Sequence, residues 1–161
     1  MATSDRTTVK AALQALMSDL RSNLKADPPT SSRPFRRIEE GEADFGEYVR
    51  PFMTVSVLET KPAGTTEGDK VVRVSLGMRL VTDVVSDNPH DAILNAVGAV
   101  EDYFDDLLTD EDGIVEGAEG FDDRSWTLGY PPGSSGARAA EASCRQSFMV
   151  KVERGYNRNP H

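Results

Sequence analysis

The sequence predicts an α+β fold in which a mixed or antiparallel β-sheet carries two main helices packed on one face. Two stretches space their apolar residues as amphipathic helices do, several others alternate apolar and polar residues, and the order is helix, strands, helix, strands. A doubly wound parallel sheet would need regular alternation of strands and helices. With 161 residues, 38% of them hydrophobic, we expect one domain over residues 1–161 with one modest core. Long loops are expected at about 27–50, 61–70 and 109–141.

The first predicted helix runs from Thr8 to about Lys25. Its apolar residues recur every three or four positions: Val9, Leu13, Leu16, Leu20 and Leu24. Thr7 or Thr8 can cap the first turn, and Asp27-Pro28-Pro29 ends the helix because proline restricts the residue before it and cannot donate a backbone hydrogen bond. A polar stretch follows, in which we expect one short strand around Phe35 to Ile38.

Two alternating segments then predict a β-hairpin with a long tip. Pro51 to Thr60 forms the first strand, with Met53, Val55 and Val57 on one face and Thr54 and Ser56 on the other. Lys61 to Lys70 contains Pro and Gly and should connect it to the second strand. In that strand, Val71 to Thr82, apolar residues alternate with Arg73, Ser75 and Arg79.

A second helix is predicted from Asn88 to Leu108. Asn88-Pro89-His90-Asp91 supplies a cap, a first-turn proline and an acid near the positive end of the helix dipole. The apolar stripe consists of Ile93, Val97, Val100, Phe104 and Leu107 or Leu108. After an acidic loop, Arg124 to Tyr130 predicts a short strand, and Ala142 to Arg154 alternates again as the last strand.

No set of residues in the chain has the pattern of an enzyme active site, and we predict neither catalysis nor a cofactor. The acidic segment has carboxylates at several positions of a calcium-binding loop, but Leu108 occupies the first ligand position, which favours a solvated acidic loop. His90 and His161 have no Cys, Asp or second His at ligand spacing, so no metal site is predicted. Cys144 lies on the apolar side of its strand and is interpreted as a core residue.

Composition excludes several other classes of function. Eighteen Lys and Arg against 27 Asp and Glu give a formal charge of −9, which argues against general attraction to nucleic acid or anionic lipid. A single cysteine excludes an internal disulfide, and no stretch approaches the roughly 20 apolar residues of a membrane span. The N-terminus lacks the apolar segment of a secretory signal, so we expect a soluble protein made in the cytoplasm.

The cations on the polar side of the strands have two interpretations. Arg73, Arg79, Arg145 and Lys151 either keep a solvated sheet face soluble or meet the acids of a neighbouring subunit. We favour the second and predict that all four belong to a subunit interface. Trp126 is included in this prediction because aromatic residues often anchor interfaces, although it could equally cap one end of the core.

The order of these segments resembles the phage tail terminator family. The matching segments are the helix Val9 to Leu24, the strands Pro51 to Leu58 and Val72 to Val81, the helix Asn88 to Leu108, the acidic loop with Phe121-Asp122-Asp123, and the closing strand ending Val150 to Arg154. The resemblance implies a homohexameric ring that caps the tail tube, stops its polymerisation and offers the head or neck attachment surface. It also implies residence at the head-proximal end of the virion tail, assembly in the host cytoplasm, and DNA passing through the ring without specific binding.

Two other functions remain open at this point. Another phage neck or head-completion protein would share the assembly character of the predicted surfaces. A small-ligand-binding regulatory α+β domain would instead hold a pocket between sheet and helix, and a strict monomer would favour it.

Overall fold

The computed structural model describes residues 8–42, 48–66, 69–84, 88, 90–109, 125–130 and 139–152. It confirms the α+β class, with a five-stranded mixed sheet and two helices packed against it. The elements are α1 (Val9–Leu24), β1 (Arg37–Glu40), β2 (Phe52–Thr66), β3 (Asp69–Asp83), α2 (Asp91–Thr109), β4 (Thr127–Gly129) and β5 (Ala139–Val152).

The strand order in the sheet is β1-β2-β3-β5-β4. The strand β1 runs parallel to β2, and all other neighbouring strands are antiparallel. The strand β3 is central, because β2 pairs with it on one side and β5 on the other from Lys70 to Asp83. The long hairpin of β2 and β3 therefore forms the middle of the sheet, and β5 extends it.

The predicted alternation of β3 is confirmed, since its even-numbered residues from Val72 to Leu80 face the helices and are buried. Opposite them on β5, the same face is formed by residues that include Cys144, which confirms its assignment to the core. The side chains of this inner face and of the two helices form one cluster that includes Leu16, Leu20, Leu76, Leu80, Ile93, Val100, Phe104 and Phe148. Burying each such side chain stabilises the fold by about 1.5–3 kcal/mol.

Local interactions fix the position of α1. Its N-cap is Thr8, one of the two residues predicted for this position. Thr8 Oγ1 accepts a hydrogen bond from the backbone N–H of Ala11 at 3.0 Å. Its C-cap Lys25 turns into extended backbone and forms a bridge to Phe35. The Tyr103 hydroxyl of α2 donates to Oδ2 of Asp19 at 2.5 Å, which joins the two helices directly.

The predicted loop at 61–70 is wrong, because β2 continues to Thr66 and β3 begins at Asp69. Proline is tolerated here since β1 pairs only with the first four residues of β2, which leaves Pro62 at an edge among the described residues. The pairing of β2 with β3 shifts register at Val57/Glu59 and again at Pro62/Gly64. Gly64 adopts a φ of 128°, a backbone conformation that favours glycine.

The other element boundaries differ by a few residues. The strand expected at Phe35 to Ile38 lies at Arg37–Glu40, the one expected from Arg124 spans only Thr127–Gly129, and β5 begins at Ala139. The expected loop at 109–141 therefore contains β4 and the start of β5. Most of the predicted acidic loop, the calcium-like pattern and the PPGSSG segment lie outside the described residues.

Candidate assembly surface

The sheet face that points away from the helices carries three of the four predicted interface cations. We call it the outer sheet face, and it comprises the odd-numbered side chains of β3 and their partners on β5 and β2. Arg73 pairs in register with Met149, Arg79 with Ser143, and Gly77 with Arg145. The structure thus brings Arg73, Arg79 and Arg145 onto one surface. The side chain of Lys151 lies outside the described residues.

The three arginines differ in their surroundings. Arg79 is half-buried, and its Nε donates to Oε1 of Glu141 on the neighbouring strand. Arg73 is also half-buried, whereas Arg145 is exposed and makes no ion pair with another described residue. Of these three side chains, that of Arg145 is the most accessible to a second molecule.

A groove of about 480 Å³ crosses the outer sheet face beside Arg145. Its lining includes Ser56 and Leu58 of β2, Gly77 of β3, Ser143 of β5 and Thr127 of β4. The side chain of Leu58 lies over Gly77, since a Cβ at that glycine would come within 3.2 Å of three Leu58 carbons. Leu58 is nevertheless 44% exposed, and the exposed charged residues Glu42 and Arg145 belong to the same lining.

The side chain of the remaining predicted interface residue, Trp126, lies on the helix side of the sheet rather than on the outer sheet face. It packs against the main core cluster, and its Nε1–H donates to Oε1 of Glu101 on α2 at 2.6 Å. Trp126 therefore fastens the start of β4 to α2. This geometry corresponds to the core-cap interpretation of Trp126 that the sequence left open.

The outer surface of α2 contains none of the interface residues predicted from the sequence. Leu94 is 52% exposed there, and with Asn95, Gly98 and Asp102 it lines a shallow depression between α2 and Ser31-Ser32. Two sequence signals could have pointed to it. Leu94 is a large apolar residue that does not belong to the buried stripe, and Gly98 is a helix-interior glycine, which costs about 0.5–1 kcal/mol relative to alanine.

The outer surface of α2 is acidic. Asp91, Asp102, Asp105 and Asp106 are all exposed on this helix, and no basic residue lies in its last turn. These acids are opposite in charge to Arg145 on the outer sheet face, where Glu141 is paired with Arg79 and Glu42 lines the groove. The two surfaces lie on opposite sides of the packed sheet and helices.

Three further observations concern metal ligands and membrane spans in the described part of the chain. Within it, no group of three or more His, Cys, Asp and Glu side chains is arranged to hold a metal ion. His90 is exposed and Cys144 is buried. None of the helices in the described ranges is long and apolar enough to span a membrane.

Comparison with known proteins gives likeness among solved structures alone. No protein-family model and no curated protein matches the chain. Among solved structures, the chain is similar to one from the virion of a native gene transfer agent particle, with 12% sequence identity and a TM-score of 0.44. The match covers 89% of this chain and 92% of that one. A likeness this distant carries no inference about function.

Proposed function

We propose that the chain is a non-enzymatic virion assembly protein of the tail-terminator type, which forms a homohexameric ring on the tail tube. The observation that carries the proposal is the pair of complementary surfaces on one subunit. Arginines and an open groove occupy the outer sheet face, and acids occupy the outer surface of α2. A closed ring needs two different faces of each subunit to meet.

The order of elements supports the same proposal. The two amphipathic helices, the long hairpin and the closing strand on which the resemblance to tail terminators rests are all present as elements of the fold. The proposed ring halts tube polymerisation and presents a surface to head-completion or neck proteins. With a formal charge of −9 per subunit, most of its wall is negative, so DNA passes without binding.

The proposal is tested by adding the purified chain to a polymerising tail tube protein from the same genome. We expect shorter tubes, each with a sixfold ring at one end in electron micrographs, and a mass of six subunits for the released ring in native mass spectrometry. Tubes assembled without the chain give the reference length.

Two outcomes would contradict it. A ring that binds the portal or another head component but does not bind tube ends would identify a neck or head-completion protein. A strict monomer that leaves tube length unchanged would favour the ligand-binding alternative.

The described part of the structure gives the ligand-binding alternative no support between sheet and helices. Both depressions described above open on the outside of the molecule, and the interface between sheet and helices is filled by buried side chains such as Leu16, Leu76 and Val100.

A further inference from the structure

We propose that the groove on the outer sheet face of one copy receives the outer surface of α2 of the next copy, with Arg145 facing Asp102. This inference rests on the proposed ring, and it names the two surfaces that join its subunits. It is carried by the size of the groove, the exposed side chains on both surfaces, and their charges.

The dimensions of the groove fit a helix. Its lining runs from Leu58 on β2, across β3 and β5, to Thr127 on β4. These four neighbouring strands lie about 4.8 Å apart, and the Leu58 side chain lies over Gly77 of β3, so the open floor from β3 to β4 spans roughly 10 Å. An α-helix with its side chains is about 10–12 Å in diameter. A helix can therefore rest on this floor with its side chains against Leu58, Ser143 and Thr127.

The outer surface of α2 has the side chains for this contact. Leu94, Gly98 and Asp102 are spaced four residues apart and share one exposed stripe of the helix. Gly98 has no side chain and nothing lies within 4 Å of where its Cβ would be, which permits close approach of another surface. Leu94 and Leu58 are 52% and 44% exposed in the single copy, and the proposed contact would bury both.

Charge selects this pairing over the two symmetric alternatives. Two outer sheet faces in contact would place Arg145 near Arg145, and two α2 surfaces in contact would place acids near acids. Only the contact between the two different surfaces brings Arg145 to the exposed Asp102. Nucleic acid is a poor occupant of the groove, because the subunit as a whole carries a formal charge of −9.

The test uses one charge reversal on each surface. Arg145→Glu alters the outer sheet face, Asp102→Lys alters the outer surface of α2, and both sites are exposed, so neither change should disturb the fold. Assembly is measured by sedimentation velocity and native mass spectrometry, with and without tail tubes. We expect each single variant to lose at least about tenfold in association constant, and R145E/D102K in one chain to recover assembly because the pair is restored with its charges exchanged.

Mixing the two single variants tests whether the contact is between different surfaces. In an equimolar mixture, the intact sheet face of the D102K chain meets the intact α2 of the R145E chain, and the two altered surfaces meet with their charges exchanged. We therefore expect the mixture to recover a ring of alternating variants that neither variant forms alone. The matched control is Lys10→Glu on the exposed side of α1, which changes the net charge as R145E does and should leave assembly unchanged. Circular dichroism melting of all variants verifies that they fold.

The outcomes separate this inference from the proposed function. If the native chain forms the sixfold ring and either single variant forms it equally well, or the double variant is not rescued, the inference is wrong and the ring stands. If the mixture of single variants does not recover the ring that each variant loses alone, the inference is also wrong. If the native chain forms no ring in solution or on tubes, both the inference and the proposed function fail.

Discussion

Replacing Tyr103 by Phe removes the direct hydrogen bond between the two helices and little else. The ring of Tyr103 is buried in the core and contacts Phe104 edge-on, with ring centroids 5.1 Å apart. A phenylalanine ring can keep this packing. The change therefore isolates the bond from the hydroxyl to Oδ2 of Asp19, which holds α2 and its outer surface in place against α1.

The expected cost is about 1–2 kcal/mol in the free energy of unfolding. A hydrogen bond to a charged acceptor contributes about 1.5–3 kcal/mol. We expect a value near the lower end of this range because Asp19 is only half-buried. In Tyr103→Phe, water can therefore partly replace the hydrogen bond that the Asp19 carboxylate loses. For a chain of this length, each kcal/mol lowers the melting temperature by about 2–4 °C, which gives a decrease of about 2–8 °C.

The same pair predicts a dependence on pH. Burial raises the pKa of Tyr103 above its ordinary value near 10, and the hydrogen bond to Asp19 and its negative charge raise the pKa further. A group with a raised pKa in the folded state stabilises the fold fully below its unfolded pKa, and this contribution is lost as pH rises above it. The native chain should therefore lose stability above about pH 10 more steeply than Tyr103→Phe does.

The assay is urea unfolding followed by circular dichroism at pH 8 and at pH 10.5, with Tyr130→Phe as the matched control. Tyr130 is 69% exposed, so its replacement should change the unfolding free energy by less than about 0.5 kcal/mol at both pH values. Equal stability of the two variants at pH 8, or an unchanged difference between Tyr103→Phe and the native chain at pH 10.5, would refute this reasoning.

Two further substitutions test single contacts by the same unfolding assay. Thr8→Ala removes the N-cap of α1 and should cost about 1 kcal/mol, and a midpoint equal to that of the native chain would show that the cap contributes nothing. Trp126→Phe keeps an aromatic ring at the core but loses the donor to Glu101, which should cost about 1–3 kcal/mol. If Trp126→Phe is instead neutral, the bond does not fasten β4 to α2.

Strand alternation predicted the sheet faces well, because side chains change face at every residue. The buried even-numbered positions of β3 from Val72 to Leu80 and the shared surface of Arg73 and Arg79 follow from that period alone, whereas Val81 is buried on the other face by Phe52 and Tyr48. The rule fails at an irregular edge. Val57 was expected with Met53 and Val55 in the core, and it is 40% exposed next to the first register shift of β2.

The placement of Arg145 beside the groove required information that the sequence does not carry locally. Its strand β5 pairs with β3 across some seventy residues of chain, and the register that sets Arg145 opposite Gly77 is a property of the assembled sheet. The outer surface of α2 was missed for a related reason. Part of its depression comes from the distant segment at Ser31, whose backbone oxygen accepts a bond from Asn95 Nδ2 at 3.2 Å.

The arrangement of charge matters more for self-assembly than its sum. Copies that each carry a formal charge of −9 repel one another at long range, but at physiological ionic strength this repulsion is screened beyond about 8 Å. Contacts made at short range then decide which surfaces meet. Under the proposed arrangement, Arg145 and its neighbours are covered by the next subunit. Each subunit also covers the acids on its own outer surface of α2, so Arg145 and Asp102 leave the surface together. The uncovered surface of the proposed ring therefore keeps about the net charge of the single chain, and the closed ring remains negative towards DNA.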